Sequence, residues 1–434
     1  MAGAVELFRG RLCWFEPSDN EEQGGFDPTY FEDGGLLVRD GLIEWSGAWE
    51  DRPPSVRDAD YVDHRPHLIM PGFIDPHIHF PQSQIVGSYA GSLLEWLNTY
   101  TFIEEQRYGD VPFAAAMAER LLDQLIAHGT TSCVAFGSVH RQSADALLGA
   151  ALERNMRLVT GKVMMDRNAP DALLDTAQTG YDETKALIEQ WHGKRRCEVA
   201  ITPRFALTSS DAQMEASGAL ASEFPDCLIQ THLSENHAEI ETATSLFPWA
   251  KDYTDIYAHF GLLMPKSLMG HCIHLSDREI ACLAEAGAVA VFCPTSNLFL
   301  GSGLFDRQRI VDGGGHLAIA TDIGGGTSWS MLRTLDEGYK ILNLQGQRWH
   351  PYASFAQATI GNAHAMGMAE KIGSLAAGFE ADFIVLDAQA TSAMALRMER
   401  VDTLAQELFV LQTMGDDRAV RQTYIAGMGS KVVG

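Results

Sequence analysis

No C-x-x-C pair occurs in this sequence, whose seven cysteines, Cys13, Cys133, Cys197, Cys227, Cys272, Cys282 and Cys293, all stand singly. The deaminase zinc site built on H-x-E and P-C-x-x-C is thereby excluded, and the thiols read as reduced core residues. Basic residues are also few: 32 Lys and Arg stand against 57 Asp and Glu, a formal net charge of −25. Such an excess of carboxylates repels phosphate backbones, so neither nucleic acid nor an anionic membrane is an expected partner, and a solvated acidic surface is its ordinary use. No apolar run is long enough to span a bilayer, and the N-terminal M-A-G-A-V-E-L-F-R-G lacks the basic and apolar regions of a signal peptide, which predicts a cytoplasmic address. Repeats of about 20–50 residues, low-complexity tracts and flexible linkers are missing too.

What remains is the balance of a soluble globular protein, 46% hydrophobic and 21% charged over 434 residues, with room for one large domain and a smaller one or for two or three ordinary ones. Residues 3–65 carry short apolar runs, Leu36-Leu37-Val38, Leu42-Ile43 and Tyr61-Val62, separated by Gly and Asp turns in the manner of hairpins. The last sixty residues repeat that signature in Asp382–Asp387, Val420–Ile425 and Lys431-Val432-Val433. Neither end could bury its apolar face alone, which predicts one small β-sandwich assembled from both.

Between the ends, eight apolar runs alternate with amphipathic helical stretches such as Ala114–Ala127 and Ala144–Arg154. The runs are Gly72–His79, Thr130–Phe136, Arg157–Met165, Cys197–Pro203, Cys227–His232, Ser267–His271, Val289–Cys293 and His316–Asp322. Eight βα units predict an α/β fold, a closed TIM-like (β/α)8 barrel, with residues 69–371 as the barrel and 1–68 and 372–434 as the two halves of the sandwich. A barrel of this kind places its active site at the carboxyl ends of the strands.

Polar residues stand where the runs stop. His77 and His79, two apart on one strand face, end the first; His232 ends the fifth, His271 the sixth and Asp322 the eighth. One such histidine is most simply a hydrogen-bonded core residue, and His140, His192, His237, His274, His316 and His364 are read that way. Five polar groups at one pole predict a shared metal site, since neutral imidazole and carboxylate suit zinc or iron. Glu235, three beyond His232, enters the same pocket as a proton shuttle; the alternative is a helix-initiating Glu beside a Ser234 cap.

Taken together, H-x-H, a strand-five His with H-x-x-E, a strand-six His and T-D resemble the amidohydrolase superfamily. Leu93-Leu94-Glu95-Trp96-Leu97, Tyr100-Thr101-Phe102, Thr202-Pro203-Arg204-Phe205, Thr231–Asn236 and Cys293–Asn297 resemble its guanine deaminase family, over about Pro71 to Gly378. Gly373–Gly378 through Asp387 is similar to the family's return into the β-sandwich. Two-metal relatives use a modified lysine at the fourth strand end, where this chain has Thr202-Pro203-Arg204, so one metal is expected and Lys162 is read as structural.

The resemblance implies one Zn2+ per chain, with Fe2+ acceptable to the same ligands, held by His77, His79, His232 and Asp322, and His271 near the metal-bound water. A zinc hydroxide would attack C2 of guanine, Asp322 would accept the water proton, His271 would hold the developing oxyanion and Glu235 would protonate the adjacent ring nitrogen, releasing ammonia and xanthine. Arg204 would donate to the purine's outer edge, although a salt-bridged strand-end arginine reads the same; Gln82 would pair its amide with a donor and acceptor edge, and Phe205 would cover a ring face. Trp96 and Tyr100, four apart, read as a packed helix face. A homodimer is expected. The rival readings are a related hydrolase of cytosine, an adenosine derivative or a triazine, and a non-catalytic scaffold on the same barrel.

Overall fold

Seven consecutive buried residues, Phe73–His79, form the first strand of a parallel sheet whose later members follow in chain order. They are Thr130–Phe136, Arg157–Gly161, Cys197–Pro203, Leu228–Leu233, Ser267–His271, Val289–Phe292 and His316–Ile319, each paired with the one before it. These strands are apolar on both faces because helices cover the outside and packed side chains fill the centre. The sequence of every parallel barrel strand but the third and eighth is legible to within about two residues, the ordinary scatter of an element's ends. The computed structural model describes residues 5–89 and 92–431.

Two expected strands differ. The run Arg157–Met165 is split into Arg157–Gly161 and Val163–Met164, the second piece pairing with Thr202 and Pro203. Gly161 lies so close to the fourth strand that a Cβ there would meet the Ala200 carbonyl at 2.0 Å. Lys162, between the pieces, is fully buried, with its ammonium 2.6 Å from Asp175 and 3.2 Å from Glu183. The eighth strand keeps its ladder only to Ile319, three residues short of Asp322. Beyond it the chain crosses to the first strand: Asp322 N donates to His77 O at 3.0 Å and His79 N to Ile323 O at 2.9 Å. These two bonds close the barrel, and the buried Asp75 carboxylate accepts Thr321 N–H at 3.1 Å beside them.

Both chain ends meet in a second sheet of seven strands. Its order is Met428–Gly429, Val420–Ile425, Phe383–Leu386, Val62–Pro71, Val5–Pro17, Phe26–Arg39 and Leu42–Ala48. Asp40 and Gly41 form the Arg39/Leu42 hairpin turn with φ of 53° and 81°, the paired positive values that a twisted two-residue hairpin requires. Phe8, Phe383 and Tyr424 pack together on one face, the last two stacked at 4.3 Å between centroids. The expected strand at Lys431-Val432-Val433 falls largely outside the described residues. Arg157 and Arg196, at the amino-terminal pole of the barrel, both reach Glu380, and Arg196 also pairs with Asp382, tying barrel to sheet. Among the described residues no helix is long and apolar enough to cross a membrane.

After the first strand the chain runs over the barrel mouth. Ser92 caps a helical turn, Leu93–Trp96, which widens at Leu97–Thr101 and continues as Phe102–Glu105. Trp96 is buried there and Tyr100 half-buried, its hydroxyl donating to Tyr89 O at 2.9 Å.

Candidate active site

Strand alternation puts His77 and His79 on one face, and the barrel turns that face inward. His232 arrives from the fifth strand. Its Nδ1 donates to the main-chain carbonyl of Arg204 at 2.8 Å, which leaves a lone pair on Nε2. That nitrogen lies 3.1 Å from His79 Nε2. Asp322 Oδ1 stands 3.5 Å from His77 Nε2 and 3.4 Å from His79 Nε2. Gly270 makes room for His77, since a Cβ there would come within 2.6 Å of the ring.

Buried polar atoms normally find partners, because an orphan costs its whole desolvation. Here both ring nitrogens of His77, Nδ1 of His79 and Oδ1 of Asp322 have none. Burial, with neighbouring imidazoles adding to it, holds His77, His79 and His232 well below the usual histidine pKa, so each ring is neutral and keeps a lone pair on one nitrogen. Burial also pushes the Asp322 carboxyl well above the usual range, a shift that an adjacent cation reverses. His77, His79 and His232 converge as one group and His77, His271 and Asp322 as another, and with Asp322 Oδ1 within 3.5 Å of His77 and His79 the cluster fits a divalent metal ion.

His271 ends the sixth strand with φ of 72°. Asn297 Nδ2 donates to its Nδ1 at 2.9 Å, so Nε2 carries the proton and points it at Glu235 Oε2, 3.4 Å away, and Asp322 Oδ2, 3.9 Å away. Glu235 does not start the helix that follows: Asn236 caps His237–Leu246 in a capping box with Glu239. Ser234, in the left-handed region at φ 52°, turns the chain so that Glu235 stands before the helix, buried in the site. The Ser302 hydroxyl donates to Glu235 Oε1 at 2.7 Å, and burial raises the carboxyl to about 7. Glu239, itself buried, accepts the Glu235 backbone N–H at 2.7 Å and the Tyr253 hydroxyl at 3.0 Å, fixing the segment from below.

These groups line one end of a cavity with ≈ 390 Å³ of empty space, its mouth included. Leu93, Trp96 and Leu97 wall it from the segment over the barrel mouth, and Phe205 and Leu300 from the sides. Gln82 and Arg204 stand together on another wall, joined by a residue that sequence reasoning missed. Glu105 accepts Gln82 Nε2 at 2.9 Å and Arg204 Nη1 at 2.9 and 2.8 Å. Arg204 is therefore salt-bridged and cavity-lining at once, and the donor end of the Gln82 amide, expected to face a ligand, is committed to Glu105.

Of the nine expected site residues, the structure brings all but His77 to the cavity, with His77 fully buried behind His79 and His232. Ser302, Asn297, Glu239 and Glu105 were not foreseen in their roles. Asn236-x-x-Glu239 is a legible capping box; Glu105 gives no such signal, because its partners lie 23 and 99 residues away. Among the other histidines, His274 Nε2 donates to Ser302 O at 2.8 Å and its ring lies tilted against that of His237, supporting the loop that carries Ser302.

Residues 68–428 match the amidohydrolase family. Guanine deaminase of Escherichia coli strain K12 is 46% identical over 410 residues, which span 94% of this chain and 93% of that protein. The solved E. coli guanine deaminase superposes with a TM-score of 0.95 at 44% identity, covering 98% of this chain and 99% of that one. Guanine deaminase from C. acetobutylicum, solved with guanine bound in its active site, superposes with a TM-score of 0.88 at 30% identity over 98% of this chain and 100% of that one.

Proposed function

The chain belongs to the amidohydrolase family, and from that premise we propose that it hydrolyses guanine to xanthine and ammonia. One observation carries the reading: a cation-fitting cluster and a buried carboxyl near neutral pKa share a cavity with an arginine and an amide, in a chain alike throughout to guanine deaminases.

His77, His79, His232 and Asp322 would hold one ion, which we take to be zinc. When bound, such an ion acts as a Lewis acid that brings the pKa of water towards neutrality. Asp322 accepts a proton from the attacking water as the C2–oxygen bond forms. His271 donates its Nε2–H to the oxygen on which charge builds. Glu235, protonated at its raised pKa, gives its proton to the ring nitrogen beside C2, so that no full negative charge accumulates on the heterocycle. The proton taken up by Asp322 passes to the exocyclic amine, the C2–nitrogen bond breaks and ammonia leaves, and the hydroxyl on C2 gives its proton back to Glu235 as the xanthine carbonyl forms. Leu93, Trp96 and Leu97 exclude bulk water from this exchange.

The division of the chain at about 69 and 371 is part of the same reading. Gly72 N donates to Asp382 O at 3.0 Å where the chain enters the barrel, beside Phe383–Leu386 where it has returned to the sheet.

Ammonia release from guanine, adenine, cytosine and triazines, measured beside metal content, tests the proposal. Turnover of guanine at about one zinc per chain is expected; turnover of cytosine but not guanine overturns it.

A further inference from the structure

Glu105 is fully buried and takes no part in the cation-fitting cluster. A carboxylate only accepts hydrogen bonds. Gln82 must therefore turn its NH2 towards Glu105, and its Oε1 is left buried without a partner, on a side chain only 1% exposed at the cavity wall. The backbone opposite is cut back to admit that oxygen: Gly324 has φ of 124°, and a Cβ there would lie 2.0 Å from Gln82 Oε1. Both Arg204 bonds to Glu105 leave from Nη1, so the rest of the guanidinium fork is not spent on Glu105. Gln82 Oε1 is thus an unpaired, covered acceptor on a residue that lines the cavity beside the cationic Arg204.

We propose that Glu105 is a positioning residue that fixes the polarity of the Gln82 amide, so that Gln82 Oε1 and Arg204 together select a heterocycle edge on which a ring N–H stands beside a carbonyl. The inference rests on guanine as substrate and sharpens that reading. Guanine carries such an edge in N1–H and O6. Adenine carries the reverse, a bare ring nitrogen beside an amino group, and would set acceptor against Gln82 Oε1 and donor against Arg204. Sites built around a buried hydrogen-bonding group reject ligands that cannot satisfy it far more strongly than apolar pockets reject a wrong shape. N1 keeps its hydrogen in the reaction when the ring nitrogen on the other side of C2 receives the Glu235 proton, so the selected edge survives to the transition state.

Hypoxanthine and adenine are the probes, since hypoxanthine has the N–H and carbonyl edge but no amine at C2 to lose. Their affinities for the metal-loaded protein are read by calorimetry, independently of turnover. Wild type should bind hypoxanthine about 100-fold or more tighter than adenine. In E105Q the new amide can donate to Gln82 Oε1, which lets Gln82 turn its NH2 to the ligand; the preference should drop at least about tenfold, with KM for guanine rising more than kcat falls and metal content unchanged. In the double variant E105Q with Gln82→Glu, a carboxylate at 82 can only accept, and the preference should return. An unchanged ratio in E105Q, or a double variant no better than E105Q, overturns the proposal. Should E105Q not fold, equal affinity of wild type for the two bases refutes it alone. Failure of the guanine reading is separately visible, as wild type that releases no ammonia from guanine.

Discussion

His232 Nδ1 donates to the main-chain carbonyl of Arg204 at 2.8 Å. The residue that orients an imidazole of the cation cluster is thus the one whose side chain stands in the cavity wall, braced by Glu105. Backbone and side chain of Arg204 serve the two ends of the site separately, and a substitution can divide them. R204K keeps the carbonyl and the charge but loses the planar fork. Metal content should stay near one per chain while kcat/KM for guanine falls about tenfold or more, the worth of one charge-assisted hydrogen bond. Undiminished guanine turnover in this variant would remove Arg204 from recognition.

Glu235 is a cavity carboxyl raised to about 7 by burial, with the Ser302 hydroxyl donating to it. E235Q preserves shape and the Ser302 contact but cannot pass a proton. We expect kcat to fall about 100-fold or more, with guanine affinity and metal content little changed. Metal loss in E235Q would instead make Glu235 a ligand.

Gly270 offers a way to disturb the cation cluster without touching the cavity. A methyl at 270 would sit 2.6 Å from His77 Cε1, so the ring must shift, and His77 does not line the cavity. G270A should weaken metal affinity by about 10–100-fold and lose activity in proportion, with activity restored by excess metal. Titration with a competing chelator measures it; an unchanged affinity would mean that His77 contributes nothing to the ion.

Four buried histidines weaken the metal-free protein in acid, and buried carboxyls oppose them near neutrality. Burial lowers His77, His79 and His232 well below 6.5 and His271 to about 3. Unfolded chains take up protons at these residues below pH 6.5 and the native state does not, so native stability falls as pH drops. The slope approaches ~1.4 kcal/mol per pH unit for each histidine, and above the unfolded pKa the contribution is complete and constant. Between pH 7.5 and 5.5 the buried Asp75, Glu235 and Glu239 carboxyls, raised to about 7, 7 and 8, gain protons in the native state first and offset that loss. Near pH 4 and below, unfolded chains protonate these carboxyls too, the histidines act alone, and thermal melts in chelator should drop by several degrees between about pH 4.5 and 3.5. A Tm that does not fall across that interval would show that these imidazoles are not buried neutral.

Periodicity made much of the fold legible. Apolar runs marked the barrel strands because a strand covered on both faces must be apolar throughout, and the H-x-H spacing placed two imidazoles on one face because side chains alternate. Asp322 was located as a residue of the site but not in its geometry: the ladder ends at Ile319, and the Asp322 backbone N–H is bonded to the first strand. The third run hid a break, since Gly161 and Lys162 answer to the fourth strand and to Asp175, which no local pattern records.

The sequence by itself determined which residue types reach the carboxyl ends of the strands, and with them the chemistry available: imidazoles, a carboxylate and a proton carrier. These follow from alternation and hydrophobic pattern, which act within one element. Tertiary structure alone decided which atoms those residues present. Glu105 reaches Gln82 and Arg204 across 23 and 99 residues of chain, and only that meeting commits the Gln82 nitrogen and leaves its oxygen unpaired. Hydrogen-bond polarity depends on what stands opposite, and here the residue opposite comes from the helical segment over the barrel mouth.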